Sequence, residues 1–469
     1  MLNYFPKYFS QRAIICYIAA LLTVSMLYAN YAMHWYWWLF GIVEVVGFFA
    51  GSQYLSVAWN GKNEKSFTKS LFGLSLTLRI MAVFFLYWFF DTMTGQPFMF
   101  AAADALGYHN EASWMAELYH DGEFNVYWQY MMSQSGVSDL GYTFWLGLQY
   151  IITNDSIIIA RIIKAILSAW MCVLVYKLAT RNFGESTGRM AGIFCALMPN
   201  LIIYCGMHLK ETEMVFLTVA FLERTDYLMR QPRLRLQSMI LPLLLGGSLF
   251  FFRTVLGVAA MGAWLVAVLL ASKDVIKTHN KVILSILLGI VMLFSIGGKI
   301  FTESQRYWER RNENQEMGLY QKTVRGNQMA KYAGAVVFAP MIFTLPFPTM
   351  VETEGQETFR MLHGGNFAKN ILSFFTIMAL FLLIWRKEWR AHVLIGVFLI
   401  AYLVILTFSA FAQSERFHMP AIPLELIFAA CGVSLMTNKY KKYFNAWLVL
   451  MFVADIAWAW FKLKGRGMA

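Results

Sequence analysis

The chain has 469 residues, of which 59% are hydrophobic, 17% aromatic and only 14% charged. A soluble chain of this length carries about 25% charged residues, so a soluble globular class is excluded. The net charge of +12 sits in short loops between apolar runs, the positive-inside pattern of a membrane protein, and no nucleic-acid partner is expected.

The apolar runs approach the roughly 20 residues a helix needs to cross a bilayer, and the short alternating segments of a β-barrel are missing. The fold class expected is therefore all-α polytopic membrane protein. Cys16, Cys172, Cys195, Cys205 and Cys431 form no CxxC pair and lie mostly in apolar runs, so neither a disulfide framework nor a zinc site is expected. Lys7, Arg12 and the run up to Tyr28 mimic a signal peptide, but a second apolar run follows at once, which favours an uncleaved first helix.

In chain order, the expected spans are Ala13–Ala29, Trp35–Val57 and Leu71–Phe90, with Lys62, Lys65 and Lys69 in a cytoplasmic linker. Arg79 falls inside the third span and should face the bundle, held by a carboxylate or by backbone carbonyls. A long external segment, 91–155, follows. Then come spans at Ser156–Leu178 and Met190–Gly206, a tight turn at His208–Glu211, and a weak span from Thr212 interrupted by Glu223, Arg224 and Asp226. The end of that span is expected to project as an amphipathic helix into the basic segment Arg230–Arg235. Further spans are read at Ser238–Phe252, Thr254–Ala271 and Val282–Phe301.

A second external loop, 302–366, opens with Arg306, Glu309, Arg310, Arg311, Glu313 and Glu316. It then turns apolar and proline-broken, the pattern of a re-entrant or surface-lying piece. Spans at Asn370–Trp385, His392–Phe411, Ile422–Met436 and Ala446–Phe461 complete about 13 crossings, with the N-terminus inside. Against this topology, the basic tail Lys462, Lys464 and Arg466 lands outside. The chain reads as one integral membrane domain, 1–469. It comprises an N-terminal hairpin (1–70), a core (71–300) holding the loop 91–155, the second loop (302–366) and C-terminal spans (370–461).

Four polar groups fall on the same, external side. Asp104, Tyr108 and Glu111 are spaced to share one helix face, with His109 beside them. The plain alternative is a solvated surface helix with Asp104 as its N-terminal cap. His208, Lys210 and Glu211 form a tight turn suited either to solvent or to a phosphate and a hydroxyl. Arg253 closes the seventh span. Arg416 and His418 precede Pro420 and Pro423, which restrict the backbone around a guanidinium whose fork suits phosphate oxygens. No Walker loop, GxGxxG, HExxH or GxSxG is present.

In order along the chain these residues resemble the integral-membrane glycosyltransferases of the GT-C fold. The resemblance is to the bacterial branch related to dolichyl-phosphate-mannose protein mannosyltransferases and the lipid A aminoarabinose transferase. Its elements are Asp104, Tyr108 and Ala112 with Gly122 at the helix end, the stretch Asp139–Phe144, and Ala160-Arg161. They continue with Pro199, Tyr204 and Lys210-Glu211, then Arg416-Phe417 with Pro420 and Pro423. The chain departs from that pattern by placing three spans, not one, before the external loop, and by carrying a single acid at Ala102-Ala103-Asp104.

The resemblance implies a GT-C-like bundle with external juxtamembrane helices, in a bacterial cytoplasmic membrane. It implies a polyprenyl-phosphate-linked sugar donor and a lipid, glycan or protein acceptor. Asp104 is then the base, with Glu211 as second choice or helper. Arg416 and Lys210, with Arg253 and His418, bind the donor phosphate, while Tyr108, His109, Glu111 and His208 contact substrate. Aromatic spans and Phe338–Phe347 would line the isoprenoid groove. A divalent cation such as magnesium or manganese is left open, and no metal ligand is assigned. Two rival readings are a capsule or O-antigen repeat-unit polymerase or ligase, which would use Arg306, Arg310 and Arg311, and a lipid-linked glycan transporter or flippase with ionisable groups at mid-membrane.

Overall fold

A computed structural model describes residues 2–134, 136–295, 339–409 and 412–468, together with positions 298, 302, 305, 306 and 309. Arg310, Arg311, Glu313, Glu316, Phe338 and the far end of the ninth expected span lie outside the described residues. Among the described residues the chain is helical, and the one β contact is an isolated bridge between Ala32 and Val351.

The first three helices, α1 (Lys7–Leu27), α2 (Trp35–Ala58) and α3 (Glu64–Thr94), follow the apolar runs. Helix α3 starts where the Asn63 side chain accepts from Ser66 N at 2.8 Å, and it stops at Gly95, whose φ of +72° is a left-handed position that glycine adopts without strain. Three helices then stand between α3 and α7: α4 (Ala103–His120), α5 (Phe124–Ser133) and α6 (Leu140–Thr153). Helix α4 ends at His120 with Gly122 in the left-handed region, as its sequence suggests. Its small buried face, Ala105, Ala112 and Ala116, packs on α6; a Cβ on Gly147 of α6 would stand 2.4 Å from Met115 Sδ.

Helix α7 (Ile157–Phe183) packs on α3, on α8 (Glu185–Leu197) and on α10 (Glu211–Met229). Between α8 and α10 lies α9 (Pro199–Gly206), bent 42° from α8. Pro199 has no N–H for the Cys195 carbonyl. Arg79 supplies the missing donor: it reaches Cys195 O at 3.2 Å, Ala196 O at 3.1 Å and Ser168 Oγ at 2.7 Å. The buried arginine of the third span therefore faces the bundle and is held by carbonyls.

The chain continues through α11 (Leu236–Phe252), α12 (Thr254–Leu270) and α13 (Thr278–Ser295). The later helices are α14 (Glu357–Met361), α15 (His363–Trp385), α16 (Val393–Thr407), α17 (Glu415–His418), α18 (Ile422–Ser434) and α19 (Lys441–Lys464). Helix α15 begins seven residues before the expected Asn370. It packs on α2 and α18, and Gly432 of α18 allows this approach, since a Cβ there would lie 2.1 Å from Phe375 O.

Before α14 an irregular stretch is buried: Leu345, Met350 and Val351 are fully covered. Its carbonyls are satisfied by side chains of α15. Asn370 Nδ2 donates to Thr344 O at 2.8 Å, Lys369 to Leu345 O, and Ser373 to Phe343 O. Non-helical backbone deep in a membrane bundle needs such partners, and the proline-broken run is thus internal over most of its length from Ile342 onward.

Among the described residues six helices are long and apolar enough to cross a membrane: α1, α2, α3, α7, α15 and α19, with the bent pair α8 and α9 as a seventh. The protein is a multi-pass helical membrane protein. Helices α11, α12, α16 and α18, with 17, 17, 15 and 13 residues, reach roughly 20–26 Å at 1.5 Å per residue, short of a ~30 Å hydrocarbon core. Length and composition thus support fewer crossings than the sequence count. Helix α10 does not project into a basic segment. Glu223 and Asp226 are buried, and Arg181 pairs with both, at 2.5 Å and 3.1 Å.

Candidate functional site

The start of α4, the turn into α10, the α11–α12 break and α17 converge. Asp104 stands in the first turn of α4, after Ala101 in a left-handed backbone. It caps nothing: the position before α4 is Ala102, with no side-chain cap. Its Oδ2 instead accepts from Nη1 of Arg416, and Nε of the same guanidinium donates to Glu211 Oε1. One arginine on α17 therefore bridges two carboxylates from elements far apart in sequence.

Glu211 opens α10, where the helix dipole favours a negative charge. It is fully buried, with Arg253 Nη2 at 3.7 Å from Oε1. Burial alone would raise its carboxyl, but Arg416, Arg253 and Lys210 outweigh that and hold it below the usual carboxylate range. Asp104 is open by contrast, its side chain 58% exposed. Arg253 sits at the α11–α12 break, its guanidinium 4.2 Å from the centre of the Phe417 ring, and its Nη1 has no hydrogen-bond partner among the described residues.

Lys210 is beside Glu211, but its ammonium is already engaged. It forms an ion pair with Asp139 and donates to Phe252 O at 2.8 Å. Burial, then the neighbouring Arg253, pull it down to about 7. Asp139 has a left-handed backbone, φ +74°, unusual for a side-chain-bearing residue. It also accepts from Tyr108 OH at 3.4 Å, and burial pushes the Tyr108 phenol up to about 12. The expected face of α4 is thus real, but its residues reach different partners on successive turns: Asp104 to Arg416, Tyr108 to Asp139, and Glu111 to the neighbourhood of Thr143 on α6. Burial raises the Glu111 carboxyl.

His109 and His208 meet through Tyr150, whose hydroxyl lies 2.7 Å from His109 Nδ1 and 3.1 Å from His208 Nε2. Phe98 packs on both imidazoles. The turn from His208 to Glu211 is not a solvated hairpin: His208, Lys210 and Glu211 are all buried. Lys164 of α7 shapes it by donating to Met207 O at 2.7 Å and to Leu209 O. Sequence reasoning assigns no site role to Lys164 or Asp139, since nothing in the sequence marks the buried turn that Lys164 shapes or the left-handed backbone of Asp139.

His418 does not join the cluster. Its Nε2 donates to Ala412 O at 2.8 Å, so Nδ1 is left to accept from Lys369, 3.3 Å away. Lys369 pairs in turn with Glu425 at 3.5 Å. Of the expected groove residues, Ile342, Leu345 and Phe347 are likewise elsewhere, buried in the stretch that packs against α15 and α19. A large apolar groove of about 780 Å³ instead runs between α2 and α3 up to the α8–α9 break, with Leu39, Phe40, Leu78, Phe85 and Pro199 among its walls. At one end of it Phe89 packs on Phe100, three residues before α4.

Among the described residues no group of three or more His, Cys, Asp or Glu side chains is placed to hold a metal ion. Comparison with known proteins gave no matching family model, no matching curated protein and no matching solved structure.

Proposed function

We propose that this chain is a membrane glycosyltransferase. It moves a sugar from a polyprenyl-phosphate donor to a lipid, glycan or protein acceptor at the outer face of the bacterial cytoplasmic membrane. The observation that carries the reading is the Arg416 bridge, which brings the two acids and the arginine singled out by sequence into one cluster beside Arg253. In this reading the shorter helices also traverse the bilayer, giving about thirteen crossings. Arg189, which donates to Trp59 O at 3.1 Å, and Arg230, which donates to Ala391 O at 3.1 Å, then mark the cytoplasmic end.

The acceptor oxygen attacks the anomeric carbon from the face opposite the phosphate, so configuration inverts. As that bond forms, the bond from the anomeric carbon to the phosphate oxygen breaks, and its electron pair leaves with polyprenyl phosphate. The hydroxyl proton passes to Asp104, the one exposed carboxylate of the pair. Arg253, with an uncommitted Nη1, and Arg416 meet the growing phosphate charge. Glu211 holds both guanidinium groups in place, and Lys210 secures Asp139 rather than the donor. The groove between α2 and α3 receives the isoprenoid chain.

The test is transfer from labelled polyprenyl-phosphate sugars by the purified protein in lipid nanodiscs. Asp104→Asn and Asp104→Ala should fold and lose about 10²–10⁴ in rate. Transfer at the wild-type rate by both would sink the reading.

One observation favours transport of a lipid-linked glycan as a second reading. Glu44 in α2 and Asp455 in α19 are buried inside candidate spans, and both Asp455 oxygens lack a partner among the described residues. Intramembrane acids of this kind are common on transport pathways. Vesicles that flip the lipid-linked sugar, at equal rates with and without Asp104→Asn, would select transport over transfer.

A further inference from the structure

A second groove, of about 840 Å³, lies between α3 and α7 at the end of the bundle away from Asp104. Its polarity changes along its length. At the start of α3 and six residues before the end of α7 it is lined by Lys65, Lys69 and Lys177, all exposed. Toward the middle of α7 it is lined by Phe72, Ile166 and Trp170, with Ile166 42% and Trp170 50% exposed. Among the described residues none of these lysines has an ion-pair or hydrogen-bond partner. Lys62, just outside the groove, is engaged with Ser70 Oγ at 2.6 Å and with the Trp59 ring. Among the described residues the single acid in the wall is Glu64, so three ammonium groups face one carboxylate.

Both walls belong to candidate membrane spans. The apolar half of the groove therefore lies in hydrocarbon, and the charged half lies where lipid headgroups are. Three free cations at headgroup level, continuous with an apolar furrow, match an amphiphile with an anionic head. They do not match a soluble anion, which gains nothing from Phe72, Ile166 and Trp170. We propose that this groove is a binding site for an anionic phospholipid. The headgroup phosphate sits among Lys65, Lys69 and Lys177, and an acyl chain lies along Ile166 and Trp170. Basic recesses between transmembrane helices recognise such lipids through the attraction of lysines near the surface for the headgroup phosphate. Because α7 also carries Lys164, which shapes the His208–Glu211 turn, the lipid sits on the same helix as the candidate site. The proposal is independent of which reaction that site performs.

The test is native mass spectrometry of the full-length protein purified in detergent and titrated with phosphatidylglycerol or with phosphatidylcholine of the same chains. Phosphatidylglycerol should bind about tenfold tighter or more, and the triple variant Lys65→Gln, Lys69→Gln, Lys177→Gln should lose that preference. These side chains are exposed, so the variant should keep the wild-type unfolding temperature. Lys439→Gln with Lys442→Gln removes two basic groups outside the groove and should leave the preference intact. Trp170→Ala should weaken both lipids. Equal preference in the triple variant and the wild type would overturn the proposal, as would equal losses in the triple and control variants. Displacement of the lipid by glycerol 3-phosphate at matching concentration would also overturn it, by making the site one for free phosphate.

Discussion

Asp104 and Arg416 stand 312 positions apart in the chain and meet in one ion pair, with the second arm of the guanidinium on Glu211. The pair joins a partly open carboxylate to a fully buried one. Removing either acid or the arginine therefore has unequal consequences for stability and for chemistry.

Arg416→Ala leaves Glu211 buried with Arg253, at 3.7 Å, and the already engaged Lys210 as its remaining cations. Breaking a buried pair from one side costs about 3–5 kcal/mol. A drop in the unfolding temperature in detergent is expected for Arg416→Ala, largely recovered in Arg416→Ala with Glu211→Gln. Asp104→Asn, at an exposed position, should leave that temperature near wild type. A loss of stability with Asp104→Asn as large as with Arg416→Ala would contradict the asymmetry.

Lys210 gives a pH signature. Its folded pKa is lowered from 10.5 to about 7, first by burial. A base with a lowered folded pKa binds its proton less tightly in the folded state, so unfolding takes up a proton between these two values. Stability from this residue accordingly rises as pH increases from about 7 toward 10.5 and is flat below 7. The unfolding temperature of the wild type should climb over that range relative to Lys210→Met. Parallel pH curves would show that the buried turn does not perturb the amine.

Arg79 and Pro199 form a second coupled pair. Arg79→Met strands the Cys195 and Ala196 carbonyls inside the bundle, at about 1–3 kcal/mol for each buried group left unmade. Pro199→Ala restores the N–H that Cys195 O lacks. The double variant should therefore be less destabilised than the sum of the singles, measured as a double-mutant cycle. Additive losses would mean that Arg79 is not replacing that hydrogen bond.

The groove between α2 and α3 makes a chain-length prediction. Gly47 and Ala82 line it, and a Cβ on Gly47 meets nothing within 4 Å. Gly47→Trp or Ala82→Trp should raise KM for long-chain polyprenyl donors several-fold and leave short-chain donors nearly unaffected. An equal effect on both would place the isoprenoid elsewhere.

Much of the scaffold was legible in the sequence because span formation is a local property. The apolar runs behind α1, α2, α3, α7 and α19 are read directly, and the resemblance places Gly122 at the end of α4, whereas the sequence reads a single span through the break at Pro199. Residue type also marked Asp104, Glu211 and Arg416. Their partners were not legible, because a side chain's direction depends on what packs around it. Lys210 turns to Asp139, His418 to Lys369 and Ala412, and Glu223 and Asp226 go inward to Arg181.

By itself the sequence determined that the chain buries apolar helices in a membrane, where backbone groups must be satisfied within the protein, and which ionisable residues stand at helix ends. Only the tertiary structure decided which of these residues meet. The Arg416 bridge needs α4, α10 and α17 brought together. The buried run before α14 needs Lys369, Asn370 and Ser373 of α15 to satisfy its carbonyls. Both rest on contacts between distant segments, set by packing of the whole bundle and not by any local pattern.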